Sequence, residues 1–282
     1  AEYQRFRDRD KLRRFIQGTV APMTAKKLAE RYEIGLENDP DYQSALASFG
    51  ALVVRPGVRL SALRNFLRDE LPADKPDMVE IVFIETIARQ LGRKWVGGDC
   101  DFIDVTIGTA RLQEIIKSLS FEYRALQSNE LLPSVVLLTP VGEQHTLMLH
   151  LLGLLFDAMG WSSQIFEGKE LKSPHLRPAI GQADIVCIGW SNQRLRGEFR
   201  NLVGMIRSSR RDTRLPIVVG GVAALDSVDF LVSLGIDCIC DSVYVASRIC
   251  ESFCDLETIS HKSKAAGRRA VAKASGIGWL AP

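Results

Sequence analysis

From about residue 20 to residue 120 the apolar positions recur three and four residues apart, the spacing that lines one face of an α-helix. The pattern predicts helices over Met23 to Tyr32, Tyr42 to Phe49, Leu60 to Leu71, Met78 to Leu91 and Val105 to Leu119. Breakers separate them at Asn38-Asp39-Pro40, Arg55-Pro56-Gly57, Leu71-Pro72, Lys75-Pro76 and Gly97-Gly98. Thr106 and Gly108 leave the start of the last helix open. A bundle of short helices is expected.

After Pro133 the texture changes. Short apolar runs at 134–139, 162–167, 184–189, 216–219 and 237–240 alternate with helical patterns near 145–159, 194–209 and 223–234. Alternation of this kind predicts a parallel sheet covered by helices on both faces. Five strands suit the Rossmann-like, flavodoxin-type order 2-1-3-4-5, in which ligands bind outside the carboxyl ends of the strands beside the first one. The expected fold class is therefore an α/β domain behind an all-α helical bundle. The expected organisation is an arm over 1–20, helices over 21–128, the α/β domain over 129–260 and a tail over 261–282.

Length and composition agree with two soluble domains: 282 residues, 46% hydrophobic and 25% charged. No apolar run approaches the ~18 residues that span a bilayer, and the charged N-terminus lacks an apolar leader. A cytoplasmic protein with no membrane partner is expected. The net charge of +2 hides basic ends: 1–31 holds nine basic and four acidic side chains, 261–282 five basic and none acidic. Such ends suit an acidic partner, or are solvated, disordered tails. The six cysteines follow no disulfide framework and complete no zinc ligand set, so reduced thiols are expected. Lys26 to Arg31, with Gly35, imitates half of a helix-turn-helix. The acidic run Glu37 to Asp41 sits badly beside phosphates, so specific DNA binding is not expected.

The chemistry lies in three loops, each directly after a predicted buried strand. Glu143-Gln144-His145 follows Val135 to Leu138, Ser191 follows Ile185 to Gly189, and Gly220-Gly221 follows Leu215 to Val219. One loop offers an imidazole with an acid two residues away, one a hydroxyl, one bare backbone. An imidazole is a good ligand for a mid-to-late first-row metal, and a carboxylate on its other nitrogen orients it and raises its basicity. His150 and His175 read as structural or solvent-exposed.

These residues resemble the cobalamin-binding domain of the methionine synthase and mutase kind, whose pattern is Asp-x-His-x-x-Gly, then Ser-x-Leu, then Gly-Gly. Here 42 residues separate Met148 from Ser191 and 26 separate Gln193 from Gly220. Glu143 stands for the Asp, Met148 for the Gly and Gln193 for the Leu. The resemblance implies that His145 ligates cobalt, backed by Glu143. It also implies that Ser191, Gly220 and Gly221 line a slot for the cofactor's nucleotide tail. Leu91 to Trp95 is similar to the helical cap of MerR-type cobalamin photoreceptors, where a Trp covers the upper corrin face. Trp95 is in place, as a corrin contact or as a bundle-core aromatic, but Asp104-Val105-Thr106 lacks the upper histidine.

Across residues 80–250 the chain resembles the AerR/PpaA antirepressors of photosynthetic proteobacteria. Val105-Thr106-Ile107-Gly108 and Thr139 to Leu147 carry that likeness. It implies binding of hydroxo- or aquo-cobalamin after illumination, then contact with a PpsR/CrtJ-type repressor of photosystem genes, with no catalysis. Two alternatives remain open: a corrinoid subunit of a methyltransferase system, and a haem sensor on the same scaffold. Haem has no nucleotide tail for Ser191 and Gly220-Gly221.

Overall fold

The computed structural model describes residues 36–72, 78–125, 133–210 and 214–255. The expected helix over Met23 to Tyr32, the arm over 1–20 and the tail over 261–282 lie outside them.

The bundle begins with α1 (Pro40–Val54), started by Pro40 and by Asp39, whose carboxylate accepts the Asp41 N–H at 3.1 Å. Next come α2 (Leu60–Asp69), α3 (Val79–Gly97) and α4 (Phe102–Ala125). α1, α3 and α4 run further than their apolar periodicity, whereas α2 stops two residues short of Leu71. Gly97 is the last residue of α3, and Gly98 closes it in a left-handed conformation at φ +77°. Gly108 lies inside α4 because a Cβ there would come within 2.7 Å of Leu91 Cδ2. Arg111 donates to the carbonyls of Val53, Arg55 and Val58 and so pins α4 to the α1–α2 corner.

The second part reads β1 (Ser134–Leu138), α5 (Leu147–Ala158), β2 (Ser162–Phe166), α6 (Leu176–Gln182), β3 (Ile185–Gly189) and α7 (Arg196–Ser209). It ends with β4 (Ile217–Gly220), α8 (Val222–Leu225), α9 (Val228–Ser233), β5 (Cys238–Cys240) and a helix over 243–255, here α10. All strands are parallel, in the order β2-β1-β3-β4-β5, as the alternation predicts. The helix expected over 223–234 is broken in two at Asp226-Ser227. α6 and α10 are not among the expected helices.

Two apolar cores flank the sheet. One joins its second face to α6, α7, α8 and α9, around Trp190, Phe199 and Ile217. The other joins Val135, Leu137, Ile185, Cys187 and Val218 to α5, to α10 and to α1 through α4 of the bundle, without a break. α4 is the bond between the two parts. Its Gln113 donates to Thr146 Oγ1 at 3.1 Å, at the top of α5. Its Arg124 donates to Asp157 Oδ2 at 2.8 Å and to Ser163 Oγ at 2.9 Å, at the bottom. Burial raises the Asp157 carboxyl, while Ser163 and Arg124 oppose the rise. α4 therefore runs alongside α5, and its first residues project beyond the carboxyl edge of the sheet. Phe102 lies eleven positions before Gln113, an overhang of roughly 16 Å at 1.5 Å per residue.

A continuous core couples the stabilities of the two parts. Ile115→Ala, at a fully buried site on α4, is expected to cost about 2–5 kcal/mol. Bundle and α/β part should unfold in one transition. Urea titration followed by tryptophan fluorescence and by far-ultraviolet circular dichroism checks this through coincident midpoints.

Candidate functional site

The carboxyl edge of the sheet carries the three loops together. After β1 the chain turns at Pro140–Glu143, closed by Glu143 N–H to Pro140 O at 3.1 Å, with Gly142 at φ +89°. The turn sends the Glu143 side chain inward, where it is fully buried, and leaves the His145 side chain 71% exposed at the start of α5.

The Glu143 carboxylate collects N–H donors from both sides. Its Oε1 accepts from Gln144 N and His145 N at 3.0 Å and lies 2.8 Å from His145 Nδ1. Its Oε2 accepts from Ser191 N and Asn192 N, each at 2.9 Å. Burial alone would push this carboxyl up. The backbone N–H groups of His145 and Ser191, the imidazole and the Asn192 N–H outweigh it and hold Glu143 below its ordinary value of 4.5. An ionised carboxylate only accepts, so the proton of a neutral His145 sits on Nδ1 and the lone pair of Nε2 faces outward. One carboxylate thereby grips both loops.

Ser191 enters through its backbone N–H. Asn192, which motif spacing did not single out, is the residue that fixes this loop. Its side chain accepts from Arg194 N at 3.1 Å, and its carbonyl accepts from Trp190 Nε1 at 2.8 Å. An Asn directly after a strand and a Ser is a common helix-capping signal, and it was there to be read. Trp190 is fully buried and stacks on Phe199, with ring centroids 4.6 Å apart.

Gly220 and Gly221 serve close backbone packing. A Cβ on Gly221, which sits at φ +110°, would lie 2.4 Å from Trp190 O and 2.9 Å from Ser191 Oγ. A Cβ on Gly220 would lie 3.2 Å from Cys240 Sγ. Met148 is partly buried and packs against the large core. At the end of β1 the hydroxyl of Thr139 is buried without a hydrogen-bond partner, an unspent polar group beneath the site.

Trp95 is half-exposed, so it is not a bundle-core aromatic; its ring meets Phe102 edge-on at 6.5 Å. Val96, Phe102 and Ile103 beside it are exposed too. This apolar cluster sits on the overhang, beyond the carboxyl edge of the sheet. His150 is buried against Glu167, 3.3 Å from Oε1, and His175 opens α6 at the surface.

The donor set restricts what the site can hold. Among the described residues no group of three or more His, Cys, Asp or Glu side chains could enclose a metal ion. A corrin or tetrapyrrole, which carries its own equatorial nitrogens, needs no more from the protein than one such imidazole. Among the described residues no helix is long and apolar enough to cross a membrane.

No protein-family model matches the chain, and no curated protein matches it in sequence. Solved structures do. The monomethylamine corrinoid protein of Methanosarcina barkeri is similar over 74% of this chain and 97% of its own, at 13% identity and a TM-score of 0.55. A cobalamin-binding protein of Desulfitobacterium hafniense is similar over 76% and 98%, at 14% identity and a TM-score of 0.39. The methanol:cobalamin methyltransferase complex of Methanosarcina barkeri is similar over 74% and 79%, at 14% identity and a TM-score of 0.39. The first of these likenesses shows a shared fold: a parallel five-stranded α/β domain with a helical part.

Glu143→Gln sets an amide donor against N–H donors. It is expected to cost about 2 kcal/mol at neutral pH. A carboxyl depressed in the folded state stabilises fully above its ordinary value and loses that contribution as pH falls through the folded value, below 4.5. Urea midpoints measured down the acid range should drop for the parent protein in that window. The Gln variant should lack that part of the fall.

Proposed function

We propose that this chain binds cobalamin with His145 beneath the cobalt, and acts as a light-responsive regulator rather than as an enzyme. The observation that carries the reading is the exposed imidazole of His145, its Nδ1 held by buried Glu143 and its Nε2 turned outward at the carboxyl edge of the sheet. The lone imidazole and the unpartnered Thr139 hydroxyl fit a corrinoid, which supplies its own equatorial nitrogens and has a polar tail to place. The fold shared with a corrinoid protein supports the same choice. When bound, cobalamin would supply a cobalt ion able to carry a light-cleavable upper alkyl group, with the hydroxo or aquo form the one favoured here.

The chain's own residues do the rest. Glu143 fixes the tautomer and direction of His145, so the ring need not be ordered when it takes a ligand. Trp95, Phe102 and Ile103 offer an apolar cover on the overhang. A ligand biases partner binding only if its bound and free forms differ in affinity for that partner, and the overhang is the surface next to the site. The partner is a repressor of the PpsR/CrtJ type, as the sequence resemblance implies.

A second reading has its own support. The fold match covers 97% of a corrinoid protein, which suits a carrier subunit of a methyltransferase system. A haem sensor would also use a single imidazole.

Incubation with hydroxocobalamin, then gel filtration and a visible spectrum, tests the proposal. The parent protein should retain corrin bands, and His145→Ala should lose about tenfold or more in affinity. Repressor capture that depends on cobalamin and light supports the regulator. Methyl transfer from the loaded protein to a thiol acceptor supports the carrier. A colourless eluate, or a Soret band after incubation with haem alone, contradicts cobalamin binding.

A further inference from the structure

Five of the six cysteines gather at one seam. Cys187, Cys240 and Cys250 are buried in the large core, and Cys238 and Cys254 pack against it half-buried. Cys187 pairs across the sheet with Val218, and Val218 with Cys238, so the two cysteines share a row over β3, β4 and β5. Cys240, two residues on, faces the same side. α10 lies over this face, with Cys250 and Cys254 one turn apart. Cys100, in the turn between α3 and α4, takes no part.

Within the seam, Cys187 Sγ and Cys250 Sγ lie 3.6 Å apart and share a thiol hydrogen bond. Cys238 and Cys240 are two positions apart on one strand. Their Cα atoms are roughly 6.7 Å apart, at the far limit for a disulfide. The resting state is the thiol. Its hydrogen bond to Cys187, together with burial, pushes Cys250 up, and burial beside Cys250 and Cys238 pushes Cys240 up to about 12. Cys238 and Cys254, half-buried, are the members of the seam nearest to solvent.

We propose that this seam is an oxidative modification site, at which a peroxide converts Cys187 and Cys250 into a disulfide that staples α10 to β3. Two S–H bonds and the O–O bond break, one S–S bond forms, and both electrons and both protons leave in two molecules of water per hydrogen peroxide. The consequence reaches the bundle. Tyr244, on the first turn of α10, is buried close enough to Glu85 of α3 to feel its charge, so a stapled α10 fixes the surface on which the bundle rests. The inference is independent of what the carboxyl edge of the sheet binds.

The test is a peptide map of the full chain after hydrogen peroxide, quenched with an alkylating agent and digested without reductant. The expected result is a Cys187–Cys250 cross-linked peptide, with Cys100 alkylated. Amide exchange over 243–255 should slow about tenfold or more and recover with dithiothreitol. Cys250→Ser should leave Cys187 alkylatable and abolish the slowing. The map of the parent protein decides the matter even if that variant folds poorly. Overoxidation at Cys238 or Cys254 with Cys187 and Cys250 still free, a bridge to Cys100, or no oxidation overturns the proposal.

Discussion

The carboxylate of Glu143 is the interaction on which the site depends. It is buried, ionised and held by N–H groups of Gln144, His145, Ser191 and Asn192 and by the His145 ring. Removing such an acceptor leaves several buried donors without a partner, which is why buried charge is tolerated only where it is this fully satisfied. The same group performs two tasks. It orients the imidazole, and it ties the loop after β1 to the loop after β3. The latter is fastened in turn by Trp190 in the aromatic cluster and by the close backbone approach at Gly221. The edge is therefore rigid before any ligand arrives, as preorganised binding requires.

α4 gives the site its second side. Because Gln113 and Arg124 tie it to the top and bottom of α5, the helix stays with the α/β part while its first turn, with Phe102 against Trp95 at the end of α3, stands out beyond the sheet edge. Bundle and sheet share one core, so the apolar cover is built into the fold rather than carried on a linker.

Much of this was legible in the sequence. Strands buried on both faces read as apolar runs, and the runs ending at Leu138, Gly189 and Gly220 placed three loops on one edge. Glu143 and His145 do meet, and the same carboxylate also reaches the second loop. What escaped depended on contacts between distant segments. Gly108 looked like a helix breaker, yet it sits inside α4 because Leu91 occupies the space. The break between α8 and α9 occurs at Asp226-Ser227, where no Gly or Pro marks it. Asn192 is a capping residue whose importance lies in a hydrogen bond across 49 positions to Glu143. Trp95 was open between a corrin contact and a bundle-core aromatic, and only the packing of α3 on α4 decides that it is half-exposed.

The central claim is that the protein's own imidazole becomes the axial ligand of a corrin cobalt, and an electron paramagnetic resonance spectrum of the protein loaded with cob(II)alamin tests it most directly. The axial nitrogen splits each cobalt line, into a triplet for nitrogen-14 and a doublet for nitrogen-15. Protein grown with nitrogen-15 histidine and loaded with unlabelled cofactor should show the doublet. A triplet unchanged by the label would mean that the cofactor keeps its own base and that His145 does not bind cobalt, which would contradict the account.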